Sequence, residues 1–197
     1  MPAFPDAEYN ARLTKTRAEM ERRKLDVLLI TDPANMNYLT GYDAWSFYVP
    51  QAVIVPLADE PPIWVGRGMD APSAVITTSL PKDRILGYAD DYVESTTKHP
   101  MQYVASVLAD RGHARGRIGV EMDAYYFSAR FLEALRESLP GAEFPDAYLL
   151  VSWVRTVKSY AEIVVMRQAA RILVPVLTVP VEGGHLGHRR VRAGCMD

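Results

Sequence analysis

The segment that most constrains this chain is Leu25-Asp26-Val27-Leu28-Leu29-Ile30-Thr31, a nearly continuous apolar run closed by Asp32-Pro33. An apolar run without alternation is the mark of a strand buried on both faces, and such a strand needs cover above and below it. Proline ends the run, because its ring cannot donate to a ladder and restricts the residue before it. The rest of the chain must therefore build a layered fold around this strand. Asp6 to Lys24 reads as a charged surface helix, with Tyr9, Leu13 and Met20 on one stripe. Arg12, Lys15, Glu19 and Arg22 make up its polar remainder. Gln51 to Leu57 and Ile63 to Val65 flank an Asp59-Glu60-Pro61-Pro62 turn, the pattern of an antiparallel hairpin.

Further strands are expected at Arg84 to Tyr88 and Arg117 to Val120, with a last short one at Glu143 to Asp146. Helical patterns lie between them. Met101, Val104, Val107 and Leu108 form one stripe between Pro100 and Gly112. Phe127, Phe131, Leu135 and Leu139 recur at steps of four, with Asp123 as the expected N-cap and Pro140-Gly141 as the stop. Ser159-Tyr160-Ala161-Glu162 is a capping box, after which Ile163, Met166, Ala170 and Leu173 form an apolar stripe. Strands alternating with helices give an α/β fold, and the hairpin makes its sheet mixed, flanked by helices.

The pattern fails after Leu173. Val174 to Asp197 carries Pro175, Pro180, Gly183-Gly184 and Gly187 with no sustained period, and reads as a flexible terminus or the product of a frameshift. The expected organisation is a domain over residues 1–158, the start of a linker helix over 159–173, and an irregular tail over 174–197.

Composition narrows the function. A net charge of -2 over 197 residues leaves no electrostatic footprint for nucleic acid or an anionic membrane. No apolar run approaches the roughly 18 residues of a membrane span, and Met1 to Lys24 lacks the apolar core of a secretory signal. The single cysteine, Cys195, cannot form an intrachain disulfide and fits a reducing cytoplasm.

Few residues carry chemistry on their own pattern. Gly66-Arg67-Gly68-Met69-Asp70-Ala71 follows a strand and precedes a helix, as a dinucleotide turn would, with Asp90 and Asp91 downstream. Its strand belongs to a hairpin rather than a first βαβ unit, which favours a plain strand-to-helix turn. His185 and His188 lie among glycines that oppose a helix, so no metal site is expected, and no cofactor. His99 before Pro100 suits a helix start. No nucleophile elbow is present, and no catalytic residue is assigned. Asn37 to Tyr48 concentrates Tyr38, Tyr42, Trp45, Phe47 and Tyr48 around Gly41. The pattern leaves core packing and an exposed recognition loop equally open.

Asp32-Pro33-x-Asn35-Met36-x-Tyr38-Leu39-Thr40-Gly41-Tyr42 resembles the amino-terminal domain of creatinases, prolidases and aminopeptidases P. Trp153-Val154-Arg155-x-Val157-Lys158-Ser159-x-x-Glu162-Ile163 is similar to the lead into that superfamily's catalytic domain. Asp43-Ala44-Trp45-Ser46-Phe47-Tyr48, His99-Pro100-Met101 and Gly119-Val120-Glu121-Met122-Asp123-x-Tyr125-Tyr126-Phe127-Ser128 resemble ectoine hydrolases in particular. The resemblance implies a ribonuclease H-like amino-terminal domain, with catalysis in a following pita-bread domain that lies beyond the matched residues. It implies an enzyme that opens the cyclic amidine of ectoine by breaking a C–N bond with water, assembled as a homodimer. The aromatic loop would reach the partner subunit's site, so Phe47, Trp45 and Tyr48 are the expected substrate-binding residues, acting in trans. Phe47 matches the aromatic that creatinases use there; the accompanying arginine position looks like Val49, a departure from the family's carboxylate-binding pattern. The alternatives are the amino-terminal domain of an Xaa-Pro peptidase or creatinase relative, and a free-standing interaction domain.

Overall fold

β1 (Val27–Ile30) forms where the apolar run requires it, and all its residues are buried. It pairs antiparallel with β2 (Ala52–Pro56), placing Leu28 opposite Val55 and Leu29 opposite Ile54. β2 turns back into β3 (Ile63–Arg67) as the expected hairpin. The outer neighbours are parallel: β4 (Ile85–Tyr88) beside β3, and β5 (Ile118–Val120) beside β1. The order β4-β3-β2-β1-β5 is thus a mixed five-stranded sheet. The computed structural model describes the backbone of residues 2–182 and the side chains of residues 2–174. It divides into two compact units, Met1–Thr156 and Val157–Asp197.

Alternation along each strand feeds two cores. Val27, Leu29, Ile54 and Val65 face one layer, which is closed by Met101, Val104 and Leu108 of α4 (Pro100–Asp110) and Leu135 of α5 (Ala129–Ser138). Leu28, Ile30, Val53 and Trp64 face the other. That side is covered by α1 (Asp6–Arg22), α2 (Pro33–Thr40), α3 (Ala71–Thr77) and α6 (Leu150–Thr156). The Gly66 turn serves packing. A Cβ on Gly66 would stand 2.5 Å from the Trp64 ring, and one on Gly87 would stand 2.7 Å from Gly68 Cα.

Four expectations need correction. Arg12 is buried rather than on the solvent side of α1, since its guanidinium donates to Tyr38 O at 3.0 Å and lies 4.4 Å from the Phe4 ring centre. Helix α5 starts at Ala129, not near Asp123. Ser128 takes the cap, its Oγ accepting from Phe131 N at 3.4 Å, and Phe127 enters the core from the turn before it. Glu143 to Asp146 makes only two isolated parallel bridges, Arg117 to Glu143 and Val120 to Asp146.

The fourth correction lies in the second unit. α7 (Tyr160–Glu182) opens on the expected capping box, with Glu162 N donating to Ser159 Oγ at 3.1 Å and Ser159 N to Glu162 Oε2 at 2.8 Å. Its backbone continues to Glu182, through the prolines at which the pattern reading placed a break. The rest of the expected irregular tail, with His185, His188 and Cys195, lies outside the described residues. No described helix is long and apolar enough to cross a membrane.

Candidate functional site

The loop from Gly41 to Gln51 follows α2 and is pinned at Gly41, Tyr42 and Val49, and the pins decide which aromatics reach solvent. Asp32 caps α2 by accepting from Asn35 N at 3.0 Å. Gly41 ends the helix in the left-handed region, φ 80°, where a Cβ would also stand 2.8 Å from Tyr9 Oη. Tyr42 then turns inward, packs against Trp64 at 5.4 Å, and donates from its hydroxyl to Gln51 Oε1 at 3.1 Å. Burial pushes the Tyr42 hydroxyl pKa up to about 12, with Asp70 adding to the shift. Val49 is the last pin, buried in the core, its amide donating to Ser46 Oγ at 3.2 Å.

Between these pins Trp45, Phe47 and Tyr48 stand out at 56%, 67% and 63% exposure. The two readings left open by the pattern are therefore both realised. Tyr38 and Tyr42 are core, and the three expected site residues are an exposed loop. Val49 does not present a side chain to solvent, so the position matched to an arginine offers no charge.

The sequence pattern did not single out the second lip. The segment between β5 and α5 brings Tyr125 and Tyr126 against the loop: Trp45 meets Phe47 at 6.1 Å and Tyr126 at 6.0 Å, and Tyr126 meets Tyr125 at 5.1 Å. All three contacts are edge-to-face, the arrangement that aromatic quadrupoles favour. A cleft of about 310 Å³ opens between the lips, with Thr31, Pro33, Met36 and Gln51 among its other lining residues. A doublet of tyrosines following a strand was the available signal for this lip.

Beneath the cleft lies a buried polar knot. Glu121 is 2% exposed and accepts from Thr31 N at 2.8 Å, Asp32 N at 2.9 Å and Asn35 Nδ2 at 2.6 Å. Burial pushes the Glu121 carboxyl pKa up, against the opposing pull of those three donors. Asn35 Oδ1 in turn accepts from Arg155 Nη1 at 2.8 Å, tying α6 to the start of α2. The knot fixes the floor.

Among the described residues no cluster of His, Cys, Asp and Glu is arranged to hold a metal. Asp90 and Asp91, the candidate ribose acids, are occupied by Arg67 and Lys98. His99 caps α4, its Nδ1 accepting from Met101 N at 3.1 Å. An aromatic cleft beside the mixed sheet is what the geometry offers.

The chain matches the Creatinase/Prolidase N-terminal domain over residues 12–157. It belongs to that family. Within it, the chain is 50% identical over 171 residues to the ectoine hydrolase of Halomonas elongata, covering 86% of this chain and 43% of that protein. It is 45% identical over 187 residues to an uncharacterized hydrolase/peptidase of Sinorhizobium fredii, covering 95% of this chain and 48% of that protein. The chain thus spans less than half the length of these relatives. In fold it is similar to an Xaa-Pro dipeptidase from Bacillus anthracis, with a TM-score of 0.72, 16% identity, and coverage of 94% of this chain and 46% of that one. The creatinase/prolidase amino-terminal fold expected from the sequence is the one observed.

Proposed function

We propose that this domain encloses substrate and supports dimer assembly in an ectoine-hydrolase-like enzyme, which opens a cyclic amidine by hydrolysis of a C–N bond. The observation that carries the reading is the sorting of one loop. Tyr42 and Val49 are buried as anchors, while Trp45, Phe47 and Tyr48 between them are held out in solvent. Three exposed rings on a pinned loop are costly to leave against water, and such patches serve contact with a ligand or another surface. The 50% identity to an ectoine hydrolase supports the choice of substrate. Catalysis belongs to the pita-bread domain in this reading, and the aromatic loop closes over the partner subunit's site. A single cysteine suits work in a reducing compartment.

The test is a hybrid of residues 1–158 with the catalytic half of the Halomonas elongata enzyme, assayed for ectoine ring opening. Phe47→Ala should lower turnover on the order of a hundredfold, the scale of lost substrate positioning, with the melting temperature unchanged. Leu135→Ala, at a fully buried core position, should instead cost about 2–5 kcal/mol of stability. A hybrid in which Phe47→Ala turns over ectoine at the parental rate would refute the enclosure role.

A further inference from the structure

The cleft is lined largely by aromatic rings. No charged side chain lines it among the described residues, while Trp45, Phe47, Tyr48, Tyr125 and Tyr126 all do. We propose that this cleft is a binding site for a compact, weakly hydrated organic cation, held by aromatic faces and not by an ion pair. The proposal deepens the enclosure reading by assigning which part of a substrate the amino-terminal domain would grip.

Each aromatic ring carries a negative face, which attracts a cation within about 6 Å and repels an anion. The floor adds to this preference. Thr31 and Gln51 both line the cleft, and each is bonded to a carboxylate behind it: Thr31 N to Glu121 at 2.8 Å, Gln51 Nε2 to Asp70 Oδ2 at 2.9 Å. Glu121 has no cation within ion-pair distance among the described residues; its acceptor sites are taken by two backbone amides and Asn35. Arginines near the lips are already committed. Arg67, within electrostatic reach of Tyr48, forks onto Asp90 at 2.7 and 3.0 Å. Arg130, beside Phe131, pairs with Glu133 at 3.3 Å and Glu137 at 3.6 Å. An anionic ligand would meet aromatic rings and no charged side chain on the described lining.

Size points to a small ligand. A cleft of about 310 Å³ is at the lower end of ligand pockets, about 300–1,000 Å³, and suits one compact group better than a peptide. A carboxylate on the same substrate would be recognised elsewhere, since Val49 is buried where the family resemblance places an arginine.

The test titrates the 197-residue chain with three probes of similar size: tetramethylammonium, tert-butanol and pivalate. Binding is read by ligand-observed saturation transfer, which works equally for every variant. Tetramethylammonium should bind at least tenfold more tightly than tert-butanol, and pivalate should not saturate. Trp45→Ala and Tyr125→Ala should each weaken the cation at least threefold; Tyr125 is 79% exposed, so its removal leaves the fold intact. Trp153→Ala, an exposed ring outside the cleft lining, should leave affinity unchanged. Equal or tighter binding of tert-butanol or pivalate overturns the proposal, as does the absence of saturable tetramethylammonium binding. So does a Trp45→Ala chain that binds the cation as well as its parent. None of these outcomes bears on ring opening by the hybrid enzyme, so the cation preference and the enclosure role fail independently.

Discussion

At the residue scale, the informative atoms are polar ones under the cleft. Thr31 is 1% exposed, and its Oγ1 has no hydrogen-bond partner among the described residues. Valine has nearly the same shape without the hydroxyl. Replacing an unsatisfied buried hydroxyl by an apolar isostere should be neutral or stabilising by up to about 1 kcal/mol. Thr31→Val should therefore keep or slightly raise the midpoint of urea denaturation with an unchanged m-value; a lower midpoint would mean that the hydroxyl is paired. Burial at this scale was the least legible property of the sequence. Tyr42 and Tyr48 sit in one aromatic segment, yet Tyr42 is buried because Trp64 and Gln51 receive it, and both are brought there by the hairpin. Arg12 looked like a surface charge for the same reason: its carbonyl and aromatic partners include Tyr38, 26 positions away.

At the element scale, the strands were legible because their signal is local. An apolar run or a hairpin turn fixes β1, β2 and β3 before any tertiary contact is known. Where a helix start was read from a capping residue, it was legible when one such residue stood alone. His99 was such a case, whereas Asp123 and Ser128 are both good caps and tertiary packing of Phe127 chose the later one. The His99 cap carries a pH dependence. Burial, then nearby Arg130, lowers its pKa below the ordinary value of 6.5, as suits a ring nitrogen that must accept from Met101 N. The folded state then holds this proton less tightly than the unfolded chain. The stability this group contributes is present above pH 6.5 and is lost as the pH falls through the lower folded value. His99→Asn keeps a capping side chain without titrating. Its melting temperature should vary less between pH 7 and pH 5 than that of the parent by about 2–4 °C, the shift expected for about 1 kcal/mol in a protein of this size. Parallel pH profiles for the two proteins would show that the cap does not titrate.

At the scale of the whole molecule, the family motifs were legible because they join short, spaced pieces to one fold. The continuation of α7 was not, since Pro175 and Pro180 lower helix propensity and no local pattern announced that the helix persists to Glu182. The unit Met1–Thr156 contains both cores of the sheet. It also contains the polar knot in which Arg155 bonds Asn35 and Asn35 bonds Glu121. Those are the interactions that hold the strands, the cleft floor and α6 together, and each is complete before residue 157. A protein shortened to residues 1–158 should therefore unfold in one cooperative transition, within about 4 °C of the full chain, a shift of about 1–2 kcal/mol or less. It should also retain the tetramethylammonium affinity of the parent, because all the cleft residues lie between Thr31 and Phe131. Calorimetry and the same probe titration check both expectations. A broad, low-temperature melt would show that the first unit depends on the chain after Lys158. Lost binding with an intact melt would show instead that the cleft is completed by residues beyond its own lips.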